Sequence, residues 1–205
     1  MTRVAIAFAI AMLGLPAADL AGRYELRGVP EAGSELLLRP DGRFEFGLAY
    51  GAADYQAKGT WKAEAGAVIL KSDEAKTAPF RLKRSAAAND GGVRVWVLGP
   101  KGNGAENIDV VLTTDQGVVR GHTSGDGLAA FERAKGAKSA RIEIPVYEFV
   151  SEAVTLNPDH NEFWFEINGE AITRMDFKDE RLLIEDGALV MRKRGADRPM
   201  RYVRQ

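Results

Sequence analysis

The chain has 205 residues, with 28 basic and 29 acidic side chains, a net charge of −1, 45% hydrophobic residues and no cysteine. That balance excludes disulfides, thiolate metal sites and cysteine nucleophiles. It offers no whole-molecule attraction for nucleic acid and matches neither a disordered nor a membrane composition.

The opening residues, MTRVAIAFAIAMLGLPAADL, place Arg3 before an apolar run from Val4 to Leu15, followed by small residues at Ala17 and Ala18. A bilayer-spanning helix needs about 20 apolar residues, so this shorter run reads as a secretory leader, residues 1–18, cleaved near Ala17 or Ala18. A buried N-terminal helix is the lesser alternative. An exported chain without cysteine must hold itself together by core packing, which suits the periplasm, with full secretion as the alternative. No later stretch has the length of a membrane span.

Beyond the leader, apolar residues recur at every second position, the period of strands with one buried face. In RFEFGLAY, Phe44, Phe46, Leu48 and Tyr50 share one face while Arg43 and Glu45 share the other. YQAKGTW, RVWVL, RIEIPV, FWFEI and TRMDF repeat the pattern. Pro40-Asp41-Gly42-Arg43 predicts a tight turn, and Asn168-Gly169 and Asp186-Gly187 predict two-residue hairpins. About sixteen candidate strands with almost no helical periodicity make this an all-β chain. SAAANDGG, residues 85–92, has the composition of a domain crossing, and the alternation loses phase again near residues 148–158.

Residues 93–146 contain VRVWV, the glycine-rich PKGNG, IDVVLTT and GHTSGDGLAAF. This segment resembles a carboxypeptidase regulatory-like domain. The resemblance implies an immunoglobulin-like or transthyretin-like β-sandwich in which Thr123 and Asp126-Gly127 shape a turn and Phe131 plugs the core. The flanking GRYELRG, SELLLRPDGRFEFGLAYG, AKGTWKAEAGAVIL and LVMRKRGADRPMRYVRQ resemble a small antiparallel lipocalin-like barrel, without the cysteines and the Gly-x-Trp of true lipocalins. Closing exposed edges favours one barrel interrupted by the sandwich. Its first part is expected in residues 22–88, the sandwich in 90–147 and the remaining barrel strands in 148–205; sequential domains are the alternative.

His122, Ser124 and Asp126 crowd together in VRGHTSGDGLAAF, but residues this close in a turn do not assemble a triad. Asp126-Gly127 reads as a left-handed turn position, with Ala129 and Phe131 on one face of the following strand. His122 and His160 are the only histidines, so neither a metal site nor a cofactor is expected, and His160 reads as a solvated loop residue. The candidate ligand-binding residues are Tyr50, Asp54, Tyr55 and Trp61, together with Trp164, which lies opposite Phe163 and Phe165 and so projects from the outer face of its sheet. Arg194, Arg198 and Arg201 form a candidate anion-binding strip. The expected role is an exported, non-enzymatic binding or scaffolding protein whose partner is an envelope protein, a glycan or a small apolar ligand. The alternative is a carboxylate-dependent envelope hydrolase or lyase, with Asp54 as its candidate group.

Overall fold

A computed structural model describes residues 17–89, 91–192 and 199–205. The apolar run of the expected leader, and Arg194 and Arg198, lie outside the described residues. The fold is all-β, as the two-residue rhythm predicts.

After the short α1 (Ala17–Leu20) come five strands: β1 (Gly22–Arg27), β2 (Ala32–Leu38), β3 (Arg43–Tyr50), β4 (Ala53–Glu64) and β5 (Ala67–Ser72). Nine short strands follow: β6 (Phe80–Ala86), β7 (Val93–Leu98), β8 (Asp109–Thr114), β9 (Gly117–His122), β10 (Leu128–Phe131), β11 (Ala137–Ile144), β12 (Phe149–Val150), β13 (Val154–Thr155) and β14 (Glu162–Ile167). The turn α2 (Gly169–Ile172) leads to β15 (Glu180–Glu185), β16 (Ala188–Met191) and β17 (Met200–Arg204).

Two compact units result, one made of residues 1–73 with 175–205 and the other of residues 74–174. In the first, β1 to β5 and β15 to β17 close an eight-stranded antiparallel barrel, completed where β17 pairs with β1. Its interior is packed with Leu36, Phe44, Leu70, Leu182, Met191 and Tyr202, each essentially without exposure. Phe177 enters ahead of β15 and meets Phe46 edge-on, with ring centroids 5.1 Å apart. Arg43 and Glu45 point outward, Arg43 to Asp73 and Glu45 to Arg39. One strand position is set by contact: a Cβ on Gly59 would lie 2.0 Å from the Lys71 carbonyl oxygen and 2.8 Å from the Phe44 ring. Only glycine lets β4 and Phe44 approach this closely.

β5 and β15 are antiparallel neighbours, so residues 74–174 stand where a hairpin loop would be. Ser72 closes the junction on the barrel side: its N–H donates to the Phe177 carbonyl at 2.8 Å, and its hydroxyl accepts the Phe177 N–H at 2.9 Å.

The second unit packs a sheet of order β10-β7-β14-β6 with one of order β12-β11-β8-β9, in which β13 also pairs with β11. Val95, Val97, Phe163 and Phe165 from the first meet Val110, Leu112, Ala140 and Ile142 from the second in one core. Phe80 stacks on Phe165 at 4.3 Å.

The domain limits differ from those expected. The sequence pattern places residues 22–88 and 148–205 in the barrel, yet β6 and β14 belong to the sandwich unit, which begins at Glu74 and ends at Arg174. Ser85 and Ala86 of the expected crossing lie inside β6. Alternation reports that a strand has one buried face without naming the sheet it joins. Asn168-Gly169 also departs from expectation: the Asn168 side chain accepts the Glu170 N–H at 3.1 Å and caps α2 instead of forming a hairpin. Asp186-Gly187 makes the predicted hairpin between β15 and β16, with both residues at positive φ.

Candidate functional site

The crowded segment at residues 119–131 is a turn. Asp126 accepts the Ser124 hydroxyl at 2.6 Å and the Leu128 N–H at 3.1 Å, while the Ser124 hydroxyl also reaches the Leu128 carbonyl. Those two bonds hold the Asp126 carboxyl below its ordinary range, the Ser124 contact first. Thr123 is buried and bridges Ala105 to Ile108. Gly127 has φ +81°, and a Cβ there would lie 2.3 Å from the Val97 carbonyl oxygen. His122 points away from this cluster and pairs with Asp109 across β8 and β9. His160 is half-buried rather than fully solvated: its Nδ1 lies 2.7 Å from the Ser85 hydroxyl on β6.

The four barrel candidates do not converge. Trp61 is 6% exposed and belongs to the barrel core. Its Nε1 donates to the Arg39 carbonyl at 2.8 Å, which ties the β2–β3 turn to β4. Tyr50 is 60% exposed and lies at the opposite end of β3 from that turn. Tyr55 faces Leu48 in the neighbouring strand, and Asp54 faces Ala49 on the outer wall. Only Asp54 and Tyr55 share a feature, an open groove of 480 Å³ that also involves Gly33, Ser34, Glu35 and Gly47. At the carboxyl end, Arg201 donates to the Glu185 carbonyl at 3.3 Å, while Arg194 and Arg198 lie outside the described residues.

Trp164 has different surroundings. Its position in β14 places it beside Trp96 of the parallel strand β7 and Arg84 of the antiparallel strand β6. The two indoles stack with centroids 4.6 Å apart and planes 2° from parallel. The Arg84 guanidinium covers the other face of Trp164, its carbon 3.7 Å from the ring centroid. A ladder of Arg84, Trp164 and Trp96 therefore crosses three strands on the outer face of the sheet. Such aromatic pairs contribute about 0.5–1.5 kcal/mol beyond area burial, and an exposed cation over an indole about 0.5–1 kcal/mol.

Beside this ladder lies a cleft of 580 Å³ lined by Lys83, Arg84, Leu98, Pro100, Trp164 and Glu166 together with the Gly99–Gly102 loop. Glu166 accepts Arg81 Nε at 3.0 Å and lies 3.4 Å from Lys83 Nζ. The Arg81 hydrogen bond, helped by the charges of Arg81 and Lys83, outweighs partial desolvation and holds the Glu166 carboxyl below the usual range, so it is ionised at neutral pH. Apolar walls with a few convergent polar groups are the usual make-up of a ligand site.

Of the sequence candidates, Trp164 alone lies in this arrangement. Trp96 and Arg84 were missed. A signal for Trp96 exists in VRVWVL, where a tryptophan occupies the otherwise polar face between buried Val95 and Val97. Nothing local indicates Arg84, because its relation to Trp164 depends on pairing between strands nearly eighty positions apart.

Comparison with known proteins finds no matching family model, no similar curated protein and no similar solved structure. The two family resemblances rest on the residues quoted for them.

Proposed function

We propose that this chain is an exported, non-enzymatic binding protein whose recognition surface is the outer face of the β10-β7-β14-β6 sheet. The observation that carries this reading is the Arg84–Trp164–Trp96 ladder bordering a 580 Å³ cleft. Two tryptophans on a solvent-facing sheet surface represent apolar area that a ligand can cover. Clefts of roughly 300–1,000 Å³ suit small molecules or a few sugar units. Of the expected partners, a glycan fits this surface best, because Leu98, Pro100 and the edge of the Trp164 ring offer apolar contact to the C–H groups of a sugar while charged side chains reach its polar rim. A small apolar ligand inside the barrel is less favoured, since Tyr202, Phe44 and Leu36 occupy that interior. Export, with the periplasm as the compartment, rests on the leader in residues 1–18.

The test is a fluorescence titration of the mature chain with a panel of neutral and acidic oligosaccharides. Saturable changes that disappear in Trp164→Ala, with the Trp61 signal of the barrel retained, are expected. Binding that survives Trp164→Ala would move recognition elsewhere. Turnover of a bound saccharide abolished by Asp54→Asn would replace the reading with the hydrolytic one. Recovery of the protein in the cytosolic fraction of its native cells would overturn export.

A further inference from the structure

Resting on the cleft as the recognition surface, we infer that its ligand carries a carboxylate received by Arg84 and Lys83, and that it is a saccharide containing uronic acid.

The first ground is an irregularity in β6. Its register with β14 runs Trp164 to Arg84 and then Phe165 to Leu82, so Lys83 is an extra residue in a bulge. In an unbroken strand, successive residues point to opposite faces. Here Lys83 and Arg84 both line the same cleft. A bulge re-aims a side chain at the cost of ladder regularity, and its effect in β6 is to set two neighbouring cations side by side.

The second ground is charge. The cleft lining holds two cations, Lys83 and Arg84, and one carboxylate, Glu166, which also pairs with Arg81. Arg81 is held by Glu166, Lys83 lies 3.4 Å from the same carboxylate and keeps further ammonium donors for a ligand, and Arg84 has no ion pair among the described residues. Its guanidinium carbon sits 3.7 Å over the Trp164 ring centroid, a contact that restricts the group without using its N–H donors. A planar fork oriented in advance matches a carboxylate in two parallel hydrogen bonds.

The third ground separates a saccharide from an acidic peptide. β6 is an edge strand, but the cleft runs from it across β14 toward the end of β7, and a peptide added at the outer edge of β6 would lie on the far side from Leu98, Pro100 and Trp164. A ligand seated in the cleft therefore finds no strand edge there, and its contacts come from side chains and from the Gly99–Gly102 loop. Leu98, Pro100 and Trp164 supply apolar surface for a pyranose ring next to the two cations.

The experiment compares trigalacturonate with its fully methyl-esterified form by calorimetry, using the intact mature chain. The two share ring geometry and differ in charge. Trigalacturonate should bind at least about tenfold more tightly, a factor within reach of one charge-assisted forked contact. Added salt should weaken that preference. Arg84→Gln should lower affinity for the acid about tenfold and leave the ester unchanged, whereas Arg84→Lys should restore only part of the loss. A melting temperature in Arg84→Gln lowered by no more than a few degrees, the share of the lost cation–indole contact, shows that the fold is retained, and the ester comparison needs no variant. Equal affinity for acid and ester overturns the carboxylate while leaving the cleft as a glycan site. Undiminished acid binding in Arg84→Gln overturns the assignment to this residue. Arg84-dependent binding of oligoglutamate without trigalacturonate binding overturns the saccharide. Failure of both sugars, with no response from the neutral panel, removes the underlying reading as well.

Discussion

The hydroxyls of Ser34 and Tyr202 meet 2.9 Å apart inside the barrel, although 168 positions separate them. Ser34 has one proton, and it goes to the Gly47 carbonyl at 2.6 Å, so Tyr202 is the donor to Ser34. The two ends of the pair are therefore unequal. Tyr202→Phe removes a donor and leaves Ser34 still bonded to Gly47, which should cost about 1 kcal/mol. Ser34→Ala strands the fully buried Tyr202 hydroxyl and should cost more, about 1–3 kcal/mol. Urea unfolding of both variants checks the order, and a larger loss in Tyr202→Phe would contradict the donor assignment.

Burial pushes the Tyr202 hydroxyl up to about 12, only partly opposed by Ser34. The ordinary value is 10.0. The raised value means that the neutral form is preferred in the folded state. Its contribution is intact below pH 10, and stability then falls as the unfolded chain ionises first, until the folded pKa is passed. Stability should drop between pH 10 and about 12 with a slope approaching 1.4 kcal/mol per pH unit from this one group. Tyr202→Phe should be less alkali-sensitive than the parent over that window. Parallel pH profiles of the two proteins would refute the assignment.

The ladder predicts energetic coupling between Trp96 and Trp164. Replacing each by leucine, singly and together, should reveal about 0.5–1.5 kcal/mol of interaction beyond the summed single effects. Chemical denaturation monitored by circular dichroism measures the cycle. Strict additivity would mean that the stacking seen between the rings contributes nothing.

Residues 74–174 fill a hairpin position between β5 and β15, which are already clamped by Ser72 and Phe177. Joining Asp73 to Met175 through Asn-Gly should leave a folded barrel with cooperative unfolding. Trp61 is then the sole tryptophan and reports on it directly. A chain that is unfolded or only partly ordered would show that the barrel depends on its insert.

In the turn, Gly127→Ala adds a Cβ 2.3 Å from a backbone oxygen at a left-handed φ. The strain alone costs about 1–2 kcal/mol, and the steric contact raises it. Destabilisation above about 2 kcal/mol in thermal melts is expected, with Gly125→Ala, which meets nothing within 4 Å, as the mild control. Equal effects would mean that the turn tolerates repacking.

By itself the sequence determined the all-β class, the inward faces of the strands, and the turns at Asp126-Gly127 and Asp186-Gly187. Each follows from information within a few residues: side-chain alternation, or a glycine free to adopt positive φ. Tertiary structure alone decided that β6 and β14 leave the barrel for the sandwich, that Trp61 fills a core, and that Arg84 lies against Trp164. Those facts depend on which strands pair and in what register. Hydrogen-bond ladders accept almost any alternating segment, so register is settled by the collective packing of a core assembled from distant parts of the chain. The bulge at Lys83 shows the limit most clearly: one unpaired residue turns a side chain toward the cleft, and no pattern in FRLKRSA marks where it occurs.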